Sequence, residues 1–165
     1  MEINNYKTHP FTKFGEDWAL LTAGVENDFN SMTISWGGMG TLWGTSVAFV
    51  FVKPTRYTYE FINRHDELTI SFYTPEIKKK ALTIFGSKSG RDIDKPKATG
   101  LTPKVLENGV TYEEATETIV CKKLFMQQLD KEKFPQIALP YYNGRGEKEL
   151  AAHYFIVAEV KNILD

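Results

Sequence analysis

Residues 30–63 read NSMTISWGGMGTLWGTSVAFVFVKPTRYTYEFIN, and the prediction of the fold starts from this stretch. Apolar and polar side chains alternate over Ser31–Trp36, which is the period-two pattern of a strand with one polar face. Ser46–Val52 is almost entirely apolar, as expected for a strand that is covered on both sides. The glycines within residues 37–44 separate the two strands and predict a turn between them.

A short helix is predicted to follow the second strand. Pro54 cannot donate a hydrogen bond to a neighbouring strand, so the strand should end before it. Thr55 is then predicted as the helix N-cap, with Tyr57 and Phe61, four residues apart, on one helix face. The stretch therefore predicts strand, turn, strand and helix in succession.

The rest of the chain adds more strands than helices. A helix is predicted to begin at Thr74 and to end near Gly86, and residues 86–100 are predicted as a long polar loop. Further strands are predicted over Trp18–Val25, Glu67–Tyr73, Thr116–Leu129 and His153–Val160, with a hairpin around Glu107-Asn108-Gly109. Because there is no regular alternation of strands and helices, a small, mainly β barrel with flanking α-helices is predicted, as a single domain over residues 1–165.

Charge and cysteine content exclude several classes of protein. The formal net charge is −1 over 165 residues, so there is no basic footprint for a nucleic acid. The single cysteine allows no internal disulfide and no multi-cysteine zinc site, and it favours a reducing compartment. No stretch approaches the roughly 20 apolar residues of a membrane span. The sequence therefore predicts a cytoplasmic protein with no nucleic-acid or membrane partner.

The glycine-rich segments do not match the common nucleotide-binding loops. A GxGxxG pattern that starts at Gly38 would need glycine at position 43, where the sequence has Trp43. A P-loop that ends at Gly90 would need lysine next, where the sequence has Arg91. Neither a dinucleotide-binding fingerprint nor a P-loop is predicted.

Metal binding and nucleophilic catalysis have little support in the sequence. His9, His65 and His153 are too scattered for the usual ligand spacings. Cys121 lies in an apolar strand pattern, which favours a buried structural thiol, because reactive thiols need electropositive and partly exposed surroundings. No residue is predicted as a metal ligand, and none as an acid–base or nucleophilic catalyst.

The remaining chemistry points to a flat ligand that carries a phosphate. Phosphates are bound by fixed cations, hydroxyls and N–H groups at a helix start, and Thr55–Thr58 offers all three within one turn. A flavin ring needs hydrogen-bond donors and an aromatic wall. These could come from Asn30, Thr33, Ser35 and Trp36, with Lys88 and Lys95 as candidates to stabilise the negative charge of the reduced ring. Taken singly, each of these residues has an ordinary structural explanation, so the flavin mononucleotide (FMN) site is a hypothesis that rests on their combination.

The ordered combination of motifs resembles a known family. NSMTISWGGMGTLWG, then VKPTRYTYEFI, then SKSGRDIDK followed by GLTP, is similar to the flavin reductase-like proteins of the FMN-binding split-barrel superfamily, of the flavoredoxin type. The resemblance runs from about Trp18 to the last strand. It implies a six-stranded antiparallel Greek-key barrel with short outer helices, FMN as cofactor, and a homodimer with FMN near the subunit interface.

The resemblance also implies which residues contact the cofactor. Those expected to line the ring and ribityl chain are Asn30, Met32, Thr33, Ser35 and Trp36. Those expected at the phosphate end are Val52, Arg56, Tyr57 and Thr58. The loop expected to close over the flavin contributes Ser87, Lys88, Ser89 and Lys95, with Asp92 orienting that loop.

The function implied by the resemblance is that of an FMN-binding oxidoreductase. Hydride would pass from NAD(P)H to FMN, and electrons would then pass to a small-molecule or protein acceptor. An FMN-binding electron-transfer module without significant NAD(P)H oxidase activity is the alternative. A split-barrel domain without any cofactor is the third possibility.

Overall fold

A computed structural model describes residues 1–143 and 151–165 of the chain. Seven strands form one antiparallel sheet, in the order β2-β1-β5-β8-β9-β4-β3, and β6 pairs with β7 in a separate hairpin. The strands are β1 Ala19–Val25, β2 Asp28–Ile34, β3 Gly37–Leu42, β4 Thr45–Val52, β5 Glu67–Phe72, β6 Pro103–Leu106, β7 Gly109–Tyr112, β8 Glu117–Gln128 and β9 Tyr154–Leu164. The mainly β class and the strands predicted from alternation are confirmed.

The prediction of a six-stranded Greek-key barrel is not confirmed, because the sheet has seven strands and is open. The additional strand is β3, in the glycine-rich segment that was predicted as a turn. The turn itself is only Trp43-Gly44, and both residues have positive φ, 51° and 76°, as a tight two-residue hairpin requires. Gly37 is needed in β3 because a Cβ there would lie 2.7 Å from the backbone oxygen of Phe49.

The helices are short. They comprise α1 Thr12–Gly15, α2 Tyr57–Arg64, a helical segment over residues 75–87, and Lys95–Thr99, with 3₁₀ turns at Ile3–Asn5, Lys131–Lys133 and Leu139–Tyr141. No helix in the described residues is long and apolar enough to cross a membrane.

Two details of the helix predictions are wrong. The N-cap of α2 is Arg56 and not Thr55, and no side chain caps this end. The segment 75–87 ends at Ser87, near Gly86 as predicted, and contains a π-helical stretch, Lys78–Leu82. The predicted loop 86–100 contains the helix Lys95–Thr99, because the Asp94 carboxylate accepts from the N–H of Lys97 at 3.1 Å and Pro96 lies in the first turn.

The core explains why the sheet curves. Side chains from β1, β2, β4, β5, β8 and β9 meet with Phe61 and Ile62 of α2 in one buried cluster, although β2 and β4 lie near opposite ends of the sheet. A second cluster joins Ala81, Leu82 and Phe85 to Leu20 and Tyr112. This second cluster fixes the segment 75–87 beside β1 and β2.

Candidate functional site

Three cavities meet between the end of β2, the start of α2 and residues 83–91. Cavity A, of about 340 Å³, is lined by Met32, Thr33, Ile34, Ser35, Trp36, Phe51, Lys53, Arg56, Tyr141 and His153. Cavity B, of about 330 Å³, is lined by Trp18, Thr33, Ile34, Ser35, Leu82, Thr83, Gly86 and Ser87. Cavity C, of about 210 Å³, is lined by Thr55, Arg56, Tyr57, Thr58, Ser87, Lys88, Ser89, Arg91 and Lys95. Cavities A and B share Thr33, Ile34 and Ser35. Cavity C shares Arg56 with A and Ser87 with B, so the three cavities form one groove.

The end of β2 presents hydroxyls to cavities A and B. Met32 and Ile34 are buried in the core, so Thr33 and Ser35 face the other way, as the alternation predicted. The Thr33 hydroxyl donates to the carbonyl of Leu82 at 2.5 Å. This bond ties β2 to the end of the π-helical stretch, and such stretches are common at functional sites.

Arg56 lies where cavities A and C meet. Its guanidinium donates to the Gly86 carbonyl at 2.8 Å and to the Phe85 carbonyl at 3.4 Å. Burial lowers the pKa of Arg56 below its usual value, although the guanidinium stays charged at neutral pH. Neither carbonyl carries a net negative charge, so the positive charge of Arg56 faces the groove without neutralisation by these partners.

Lys95 is a buried cation beneath the same groove. Lys95 is only 4% exposed. Its ammonium donates to the carbonyl of Ser31 at 3.0 Å and to that of Phe85 at 3.1 Å. Burial, followed by the nearby charge of Arg56, lowers the pKa of Lys95 to about 8. In the described residues neither cation forms an ion pair with a carboxylate.

Cavity C has the composition of an anion site. Four cationic side chains line it, together with hydroxyls from threonine, serine and tyrosine, and no acidic side chain of the described chain does so. Arg91 is held in place by an ion pair with Glu60 and by its position over the Tyr57 ring, 4.6 Å from the ring centre. The N-terminus of the eight-residue helix α2 adds N–H groups and a favourable dipole.

Asn30 supports this region from below. Its amide donates to the Thr58 hydroxyl at 2.7 Å and to the Ser31 carbonyl at 3.3 Å. A Cβ at Gly90 would lie 2.2 Å from the Asn30 side-chain oxygen, so the 86–91 loop packs directly on Asn30. Asn30 therefore links β2, α2 and the loop.

The structure brings together most of the residues predicted for the site. Those in the walls of the three cavities are Met32, Thr33, Ser35, Trp36, Arg56, Tyr57, Thr58, Ser87, Lys88, Ser89 and Lys95. Three others lie outside these walls. Asn30 lines an adjoining pocket, the Val52 side chain is fully buried in the core, and Asp92 is exposed in a turn where its N–H donates to the Ser89 carbonyl at 3.1 Å.

Sequence reasoning missed a group of residues at cavity A. Phe51, Lys53, Tyr141 and His153 line it, and the Tyr142 hydroxyl lies 2.7 Å from Nδ1 of His153. Burial, then the charge of Lys53, lowers the pKa of His153 to about 4. The register that pairs Val52 with Tyr154 brings His153 next to Lys53. In the sequence, Phe51 and His153 read only as residues of predicted strands, and Lys53 reads only as the residue that follows one.

Among residues 1–143 and 151–165, no three histidine, cysteine or acidic side chains are grouped so as to hold a metal ion. The thiol of Cys121 is 1% exposed, and burial raises its pKa to about 12. It is a buried structural residue, as predicted.

The fold of this chain is similar to that of several solved structures. An FMN-binding protein from Thermus thermophilus, with 1-cyclohex-2-enone bound, aligns with a TM-score of 0.68 and 19% identity over 97% of this chain and 78% of that one. A flavoredoxin from Methanosarcina acetivorans aligns with a TM-score of 0.65 and 21% identity over 100% and 74%. An NADH:FAD oxidoreductase from Streptomyces globisporus aligns with a TM-score of 0.65 and 11% identity over 90% and 74%.

Sequence identities this low show only that the fold is shared. The family is shown by a separate comparison of the sequence with models of protein families. No curated protein matches the sequence significantly. The model of the flavin reductase-like domain, however, matches residues 11–129, which include β1 to β8 and all the residues of cavities B and C. The chain therefore belongs to the flavin reductase-like domain family.

Proposed function

We propose that residues 1–165 form one domain that binds FMN in the groove of cavities A, B and C. The observation that supports this proposal most directly is that the two ends of the groove differ in their chemistry. Its A and B parts offer hydroxyls and flat apolar walls, and its C part offers cations and a helix start. FMN has the same division, with a flat ring at one end and a phosphate at the other.

The ring would be held by the end of β2. Thr33 and Ser35 supply hydroxyls to both cavities, and Trp18 and Trp36 supply aromatic surface on either side of them. The hydrogen bond from Thr33 to Leu82 fixes the position of that hydroxyl before a ligand binds. Met32 belongs to the hydrophobic core and lines the side of cavity A that faces this core.

The phosphate would be held in cavity C. Arg56, Lys88 and Lys95 supply positive charge there, and Thr58, Ser87 and Ser89 supply hydroxyls. Lys95 is the most constrained of these cations, because two carbonyls hold its ammonium within the protein. Asn30, Val52 and Asp92 would act on this end indirectly, through the packing of β2, β4 and the loop on which they lie.

FMN held in this groove would supply hydride-transfer and electron-transfer chemistry, with NAD(P)H as the reductant and a small molecule or a protein as the second acceptor. The chain would position the flavin and tune its charge. Lys53 and Arg56 make cavity A electropositive, which favours the negative charge of a reduced ring. His153 is held neutral by burial, so it adds a polar aromatic surface and no further charge near neutral pH.

A second candidate function is electron transfer between proteins without significant NAD(P)H oxidation. The flavoredoxins among the structural neighbours favour it. Steady-state and anaerobic spectroscopy separate the two functions. The enzyme is supported if NADH or NADPH bleaches the visible absorbance of the FMN-loaded protein within seconds. The electron-transfer module is supported if FMN is bound but only a chemical reductant bleaches it.

We also propose a homodimer in the cytoplasm. Phe49 and Phe51 point away from the core, and each packs against Phe155, with ring centres 5.9 and 5.5 Å apart. A second copy on this half-buried aromatic face would lie beside Phe51 and therefore beside cavity A. The single buried cysteine is compatible with a reducing compartment.

A further inference from the structure

Four residues that line cavity A are not among the groups proposed to hold the flavin ring or its phosphate in place. Phe51 and Lys53 come from the end of β4, Tyr141 ends the 3₁₀ turn Leu139–Tyr141, and His153 immediately precedes β9. We call these four residues the outer wall. The groups proposed to hold the flavin ring and its phosphate are Trp18, the end of β2, the start of α2, the 86–91 loop and Lys95.

Lys53 is the charged residue of the outer wall. It is half-buried, and both burial and the charge of Arg56 lower its pKa below the usual value for lysine. Within the described part of the chain, its ammonium has no carboxylate partner, and it lies 5.6 Å from the centre of the Tyr142 ring. A half-buried cation without an anion is unfavourable, and a ligand that brings an anion would relieve that cost.

The other members of the outer wall are flat and uncharged. The Tyr142 hydroxyl fixes the His153 ring through Nδ1 at 2.7 Å. The Trp36 ring packs against both His153 and Tyr141, with centres 4.9 and 5.1 Å apart. The wall therefore combines rigid aromatic surface with a single cation at its edge.

The positive charge of cavity A determines which ligands can bind there. A cluster of aromatic rings can bind an organic cation, but Lys53 and Arg56 would repel one. Among the described residues, no acidic side chain lines cavity A. The ligand for this wall should therefore be flat, to match the rings, and should carry a negative group, to match Lys53.

We propose that cavity A binds, beside the flavin ring, a planar, conjugated carboxylate as ligand, and that Lys53 selects it by pairing with the carboxylate. This inference rests on the proposed function, because it places the compound in the cavity that also holds the flavin ring. Lys53 binds the charged end of the compound, while Trp36 and Tyr141 contact its ring. Lys53 is thus a specificity residue.

A pair of matched probes tests the proposal. 4-Hydroxybenzoate and 4-hydroxybenzamide share a ring and have nearly the same size, but only the first is an anion at neutral pH. We expect the wild-type protein, titrated calorimetrically with and without FMN, to bind the carboxylate at least about tenfold more tightly, which corresponds to about 1.4 kcal/mol. In Lys53→Met, the carboxylate-to-amide affinity ratio should fall to within about twofold of one.

Two control variants keep the result interpretable. Lys7→Met removes the same charge from an exposed position, and the affinity ratio should stay at its wild-type value. Lys53→Arg keeps the charge, so it should retain most of the ratio, even if the methionine variant fails to fold.

Two results would overturn the proposal. One is equal wild-type affinity for the two probes, and the other is a ratio that persists in folded Lys53→Met. Both can be measured on the protein without FMN, so a failure to bind FMN would reject the proposed function separately from the role of Lys53.

Discussion

Arg56 and Lys95 donate hydrogen bonds to the same backbone oxygen, that of Phe85, at 3.4 and 3.1 Å. Phe85 lies in the last turn of the helical segment 75–87, where carbonyls lack partners in the helix and carry partial negative charge. The carbonyls hold the two cations close together but do not neutralise them. A phosphate in cavity C would supply the missing negative charge, which makes this pair of residues the basis of several predictions.

The first prediction separates binding of the phosphate from binding of the ring. Arg56→Ala should weaken FMN binding by about 2–3 kcal/mol, the cost of a lost charged contact. Riboflavin, which lacks the phosphate, should bind the variant and the wild type equally well. Equilibrium dialysis with both ligands measures the two affinities.

Arg64→Ala is the matched control, because Arg64 lies on the same helix and pairs with Asp28 away from the groove. It should leave both affinities unchanged. An equal loss of FMN and riboflavin binding in Arg56→Ala would show that Arg56 acts through the fold and not through the phosphate.

Lys95 should make the stability of the protein without FMN depend on pH. Its pKa is about 8 in the folded state, lowered from 10.5, so above pH 8 the folded protein releases this proton before the unfolded chain does. The unfolded state then binds more protons, and stability rises with pH. Between about pH 7 and 9 this contribution should grow by about 1 kcal/mol.

Urea unfolding at several pH values measures this effect. Lys95→Met should lack the rise that the wild type shows, and Lys97→Met, an exposed lysine of the same helix, should keep it. A rise of the same size in Lys95→Met would assign the pH dependence to another group.

The close packing of β3 gives a prediction about stability. An added Cβ at Gly37 would lie 2.9 Å from the Phe14 ring and 2.7 Å from the backbone oxygen of Phe49. Gly37→Ala should therefore lower the free energy of unfolding by about 1–3 kcal/mol, as overpacking does. Gly40→Ala, in the same strand with nothing within 4 Å of the new Cβ, should change it by less than about 0.5 kcal/mol. Equal effects of the two substitutions on urea unfolding would reject this account of β3.

Much of the fold was accessible from the sequence because the informative signals are local. The alternation over residues 31–36 predicts a strand, places Thr33 and Ser35 on the polar face, and is confirmed. The glycine-rich segment that forms β3 was misread, because glycine is usually a sign of a turn. Here Gly37 and Gly38 are required by contacts with Phe14 and Phe49, which are distant in the sequence.

Prediction of the site is limited in the same way, because contacts between residues distant in the sequence leave no local pattern. Arg56 and the β2 hydroxyls lie within the one stretch of residues 30–63, so their combination is visible before folding. His153 reaches cavity A through the pairing of β9 with β4, and Tyr141 reaches it from the 3₁₀ turn Leu139–Tyr141, so both positions depend on contacts distant in the sequence. Lys95 was predicted at the site, but its burial could not be foreseen, because the sequence around it reads as a polar loop.

Cys121 should be inert in the folded protein. Its thiol is buried in the core, and a pKa of about 12 leaves almost no thiolate at neutral pH. A thiol reagent such as Ellman's should label the chain only after denaturant is added. Stoichiometric labelling of the native protein within minutes would mean that this part of the core opens readily.

The most direct test of the central claim is a titration of the protein, freed of any flavin, with FMN in equilibrium dialysis. The geometry of cavities A, B and C predicts saturable binding of one FMN per chain. It also predicts clearly weaker binding of riboflavin, because cavity C would lack its anion. Absence of saturable FMN binding, with the protein folded, would contradict the account.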